Sequence, residues 1–247
     1  MPASEIAAIA VLFFVGAALY ASVGHGGASS YLAVMGLFGL APSVMKPTAL
    51  ALNILVAAIA TATFYRAKLF SWHLFRPFAL ASVPAAFAGG ATMLPGRWYK
   101  VLVGAVLLYA AAWMFRSARK RPSLATGRPP VWIAVGAGFA IGYLSGLTGV
   151  GGGIFLSPLL LYMGWAETRE TSGVAAPFIL VNSAAGLLGH VSSVRELPGS
   201  LPYWGVAVVA GGWIGASYGT KKAATPVLRR LLSLVLVVAG LKMLLTS

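Results

Sequence analysis

The chain has 247 residues, 59% of them hydrophobic and 9% charged, with a mean hydropathy of +0.87. An ordinary soluble domain carries roughly 25% charged residues, so these few charges cannot coat a water-facing surface. That excludes a cytosolic enzyme, a nucleic-acid binder and a disordered chain, and it requires a mostly helical protein of the bilayer. The formal net charge is +14, from 18 Lys+Arg and four acids, all of them Glu (Glu5, Glu167, Glu170, Glu196). In a membrane protein such an excess anchors the cytoplasmic ends of helices. Cys is absent, which removes disulfides, thiol nucleophiles and Cys metal sites.

The first apolar segment, 5–22, has no Lys or Arg before it and reads as a retained helix rather than a cleaved signal. Residues 29–41 follow the glycine cluster Val23-Gly-His-Gly-Gly-Ala-Ser29. A helix of about a dozen residues is roughly 18–20 Å long, less than a full crossing of the ~30 Å hydrocarbon core. Segments 44–65, 74–94 and 98–115 complete the first half, and the connection RSARKRPSLATGRPP follows. The second half reads 131–148, a short segment 154–165, then 172–192, 202–220 and 226–245.

Arg116, Arg119, Lys120, Arg121 and Arg128 make that connection cytoplasmic, with the chain multi-pass in the cell inner (plasma) membrane. If all ten segments cross, Lys46, Arg97, Lys100, Arg195 and Lys242 face outside, the other basic residues face inside, and both termini lie outside. Making 131–165 a non-crossing hairpin satisfies the same parity, so whether the short helices cross or re-enter stays open.

The halves match at an offset near 125. Val23–Ser29 aligns with Thr148-Gly-Val-Gly-Gly-Gly-Ile154, and each cluster precedes a short segment, a basic residue (Lys46 or Arg169) and a long segment opening on small or hydroxyl residues. An odd number of segments per half inverts the second. The expected fold is therefore an all-α membrane protein of two inverted five-segment repeats, with short broken helices after glycine-rich motifs. Its parts are a first repeat 1–116, a basic linker 117–130 and a second repeat 131–247. Inverted repeats are typical of secondary transporters.

A helix N-terminus exposes unpaired N–H groups and partial positive charge, a ready anion site. Interrupted backbone at membrane depth is tolerated only inside protein or along a cavity. The clusters thus read as breaks that aim two helix starts at a shared cavity, against the plainer reading of tight helix packing. The candidate substrate-binding residues are Gly24, His25, Gly26, Gly27 and Ser29 at the first break, and Thr148, Gly149, Gly151, Gly152 and Gly153 at the second. Thr48, Asn53, Ser172 and Asn182 join them from the long segments that follow. Hydroxyls and amides can donate to oxyanion oxygens without a buried full charge. Each can equally bond its own helix or a neighbour. Lys46 and Arg169 read either as anion attractors at opposite mouths or as interfacial anchors.

Three scattered His with no neighbouring acid make no metal site, and no cofactor is expected. No acid lies deep in a segment, so carboxylate proton relays and acidic sodium sites are not expected. Coupling to a proton would fall to His25, His190, water or the substrate, and backbone carbonyls could still hold a cation. The lipid bilayer and a small anion are the expected partners, nucleic acid is not, and a homo-oligomer is compatible.

The strings GLTGVGGGIFLSPLLLYMGW and RETSGVAAPFILVNSAAGLLGH resemble the sulfite exporter TauE/SafE family, also called the sulfonate uptake permeases. Gly149–Gly153, Pro158, Arg169 and Val181-Asn182-Ser183-Ala184-Ala185-Gly186 carry the resemblance. The first half departs from it, because His25 interrupts the glycines and no proline follows until Pro42. The resemblance implies an exporter or permease for sulfite, an organosulfonate or another sulfur oxyanion. The alternatives are an anion channel on the same scaffold and a carrier of small carboxylates. An intramembrane enzyme lacks a nucleophile–base pair, so no catalytic residue is expected.

Overall fold

The computed structural model describes residues 1–117, 127–190, 197–221 and 226–246, with side chains described except at 117 and 226–232. Most of the linker, 118–126, and Arg195 and Lys222 lie outside the described residues.

The described secondary structure is all helical. Ten helices follow in chain order: α1 (Ala3–Ala21), α2 (Ala28–Leu37), α3 (Pro42–Arg66), α4 (Trp72–Ala91), α5 (Gly96–Ser117), α6 (Val131–Thr148), α7 (Gly153–Tyr162), α8 (Thr168–Gly189), α9 (Leu201–Lys221) and α10 (Pro226–Leu245). They fall on the ten apolar segments of the sequence. Among the described residues six (α1, α3, α4, α5, α6 and α8) are long and apolar enough to cross a membrane. Helices α2 and α7 have 10 residues each, or about 15 Å at 1.5 Å per residue.

Large apolar side chains lie on the outside, as lipid-facing helices require. Leu80, Trp132, Val206 and Trp213 are all largely exposed. The interior is apolar as well: Phe13 on α1, Tyr31 on α2 and Trp204 on α9 form one buried aromatic cluster.

The halves interleave. Helix α1 packs along α9, and α6 packs along α4. Each pair is closed by glycines four residues apart. Gly211, Gly215 and Gly219 of α9 rest on the backbone of Phe14, Ala18 and Ser22, while Gly138, Gly142 and Gly146 of α6 rest on Phe78, Ser82 and Ala86. Position numbers rise together in both pairs, so both are parallel. With no side chain between them the backbones approach closely, which is how membrane helices gain packing energy without a hydrophobic drive.

Two other pairs are antiparallel. Asn53 meets Ser183 and Leu50 meets Gly186 where α3 crosses α8. Gly104 meets Gly240 where α5 crosses α10, and Lys100 reaches the Thr246 carbonyl. These relations have the parity of a chain in which every segment crosses, a parity that a non-crossing hairpin over 131–165 shares.

Candidate functional site

The two glycine breaks start the two short helices. Gly27 (φ 100°) caps α2 and Gly152 (φ 83°) caps α7, both in the left-handed region that costs glycine nothing. Neither N-cap glycine has a side chain to accept from its helix, so the first N–H groups of each must find other partners. Gly24, Gly149 and Gly151 are also left-handed.

Each break is seated on the long helix of the other half. Gly24 packs on the backbone of Ser172 at the start of α8, and Gly149 packs on that of Lys46 at the start of α3. The breaks also meet each other. His25 Nε2 lies 3.1 Å from the Gly153 carbonyl oxygen and 3.1 Å from Ser157 Oγ, both on α7. Its Nδ1 lies 3.0 Å from the Val23 carbonyl oxygen. The Asn53 carboxamide accepts from the Ala28 N–H at 3.2 Å, through Oδ1, and donates from Nδ2 to Ser183 Oγ at 2.8 Å.

The space between the breaks is filled. The carboxamide of Asn53 stands against Gly26 on one side and Gly151 on the other, and Ile179 packs on Gly26, Gly151 and Gly153. Where the sequence leads one to expect a shared hollow, this structure brings the breaks together with side chains closing the gap.

Not every candidate joins them. The hydroxyls of Thr148 and Ser172 donate to the carbonyls of Leu144 and Thr168 on their own helices, at 2.7 and 3.1 Å. Asn182 Nδ2 likewise donates to the Phe178 carbonyl at 2.8 Å. Ser29 is buried beside Tyr20. Thr48, Ser145 and Thr171 each bury a hydroxyl with no hydrogen-bond partner, and Asn182 Oδ1 is buried without one.

Three features were not foreseen. The Tyr31 hydroxyl donates to the Gly26 carbonyl at 2.9 Å and the Tyr99 hydroxyl to the Thr148 carbonyl at 3.0 Å. Each tyrosine satisfies a carbonyl at a break, and nothing in an apolar sequence distinguishes a tyrosine with that task from a lipid-facing one. The third is the surroundings of Lys46. This side chain is 4% exposed, and its ammonium donates to the carbonyls of Gly89, Gly90 and Thr92 at 3.3, 2.9 and 3.3 Å. It caps the C-terminal end of α4, where unpaired carbonyls and the helix dipole favour a cation. His190, also buried, places Nδ1 3.2 Å from the same Gly90 carbonyl. Arg169 does the corresponding work exposed, donating to Thr220 near the end of α9 at 3.1 Å. Lys46 and His190 are both enclosed by protein. His73 is exposed.

The sequence profile of the sulfite exporter TauE/SafE family matches residues 8–243. The chain belongs to that family. This TauE/SafE member is 43% identical to a probable membrane transporter protein, y4hK, of Sinorhizobium fredii, over 98% of this chain and 99% of the relative. It is 25% identical to the probable membrane transporter protein YjnA of Bacillus subtilis, over 97% of this chain and 99% of the relative. No solved structure matches. The chain is thus a membrane transporter of the TauE/SafE family.

Proposed function

We propose that the protein is a secondary transporter, exporter or permease, for a small anion, with sulfite or an organosulfonate as the leading substrates. The observation that carries this is the meeting of two glycine-led helix starts, tied by His25 and Asn53. Their N–H groups and dipoles offer positive potential. The buried hydroxyl of Ser145, beside Gly152, is a donor in want of an acceptor, as an oxyanion would supply. The family description favours sulfite over carboxylates of similar size.

The mechanism is alternating access. Parallel packing of α1 on α9 and of α6 on α4, with antiparallel α3–α8 and α5–α10 crossings, supports two inverted repeats that exchange partners. Rocking of one against the other would open the paired breaks to each side in turn. The charge bias supports a cytoplasmic position for the basic linker 117–130. A coupling proton would reside on His25, since only the doubly protonated imidazole donates to both the Val23 and the Gly153 carbonyls.

The test is counterflow of radiolabelled sulfite in proteoliposomes, with thiosulfate, isethionate and acetate as competitors. Saturable counterflow is expected, and Gly26→Leu and Gly152→Leu should abolish it while the protein still inserts. Undiminished counterflow in both variants overturns the proposal. Unitary currents across a planar bilayer would instead identify a channel.

A further inference from the structure

The gap between the breaks has an occupant to which the transport reading assigns only the task of tying them together. Asn53 is fully buried, and its carboxamide oxygen sits on the N–H of Ala28, the first residue of α2. The amide nitrogen is anchored on Ser183 of α8, in the other half. A Cβ on Gly26 would strike the carboxamide oxygen, and one on Gly151 would strike its nitrogen. The group therefore fills the space left by both glycines, with its acceptor atom on a donor of the helix start.

A second observation, independent of those bonds, points to a ligand. Ser145 is fully buried, its hydroxyl has no partner, and its Cβ lies 3.4 Å from where a Cβ on Gly152 would stand. A buried donor with nothing to donate to carries a desolvation cost, which an arriving acceptor would relieve. Both breaks thus have donors suited to oxygen acceptors: one already taken by a neutral amide, the other waiting.

We infer that Asn53 is a placeholder for the substrate, occupying the α2 donor in the empty protein and giving it up when an oxyanion enters. The inference rests on the anion-site reading and adds a specific role to it. A carboxamide oxygen is a weaker acceptor than a charged oxygen, so an oxyanion can displace it. Displacement costs the bond to Ala28, and moving the group away also costs its anchor on Ser183. Asn53 consequently weakens binding by competition and speeds release, the opposite of a substrate ligand. Ser183 positions it and sets how hard it is to move.

Two measurements on the purified full chain test this. The first is amide hydrogen exchange over residues 26–31, titrated with sulfite, thiosulfate or acetate. Asn53→Ala should exchange faster than the unsubstituted protein when empty, and sulfite should protect it at about fivefold lower concentration, the worth of one neutral hydrogen bond. Ser183→Ala should shift the same way by less. Asn53→Asp should lose anion protection altogether, because a tethered carboxylate holds the donor. The second is counterflow, in which KM for sulfite should fall in Ser183→Ala. If Asn53→Ala does not purify as a folded species, Ser183→Ala decides.

A KM or protecting concentration equal to or above that of the unsubstituted protein, in whichever variant folds, overturns the inference and makes Asn53 a ligand or a structural tie. That outcome leaves the transport reading intact if the unsubstituted protein is itself protected and carries flux. If no anion protects or crosses in any form, the anion-site reading fails and the placeholder with it.

Discussion

Gly104 of α5 and Gly240 of α10 fit each other reciprocally. A Cβ on Gly104 would lie 3.0 Å from the Gly240 carbonyl oxygen and 3.0 Å from Leu244, and a Cβ on Gly240 would lie 3.0 Å from the Gly104 carbonyl oxygen and 3.0 Å from Leu108. Contacts tighter than ordinary packing leave little room, and overpacking typically costs about 1–3 kcal/mol. Gly104→Val and Gly240→Val should each lower the melting temperature in detergent, by similar amounts because their surroundings match. Unequal effects would argue against that match.

The glycine ladders make a sharper prediction. Gly142 and Gly215 lie against the backbones of Ser82 and Ala18, whereas Gly136, on α6 as well, has nothing near its missing side chain. Gly142→Ala and Gly215→Ala should destabilise the protein by about 1–3 kcal/mol, since backbone cannot move aside cheaply. Gly136→Ala should leave stability unchanged or raise it, because alanine is the better helix former. Thermal unfolding of the three variants side by side is the check.

Lys46 and Arg169 occupy corresponding places but should differ in worth. Lys46→Met strips three carbonyls of a buried charged donor and should cost about 1.5–3 kcal/mol. Arg169→Met loses one exposed bond and should cost under about 1 kcal/mol. The difference would be read as a melting shift confined to the first variant.

The tyrosines at the breaks should act on stability and flux together. Tyr31→Phe and Tyr99→Phe each leave a buried carbonyl, of Gly26 or Thr148, without its donor. A loss of about 1–3 kcal/mol is expected for each. Counterflow should slow in both, because these bonds hold the shape of the interrupted backbone. Normal flux with lowered stability would confine them to a scaffold role.

The ten segments, the two short helices and their glycine starts were legible in the sequence because hydropathy, segment length and clustered glycine all bear on the same local choice. Asn53 and Asn182 stood out because amides are rare in apolar helices, yet Asn53 joins the halves while Asn182 bonds its own helix. His25, marked by its place inside the first glycine cluster, joins the halves too. The hydroxyl candidates could not be sorted the same way. Thr148 and Ser172 bond their own helices while Thr48, Ser145 and Thr171 do not, and that choice depends on rotamer and neighbours rather than on residue type. The position of Lys46 was undecidable for a related reason. Its burial follows from where α4 ends against α3, a long-range fact that no periodicity within α3 encodes.

The pairing of α1 with α9 has a consequence for how the protein is made. Helix α1 finds the glycine face that fits it only when α9, nearly 200 residues later, arrives. Until then the α1 surface around Phe14, Ala18 and Ser22 must wait in lipid, and contacts so distant in sequence form late. Assembly is thus a closing act rather than a stepwise one, and a chain halted after α5 would lack the partner of α1.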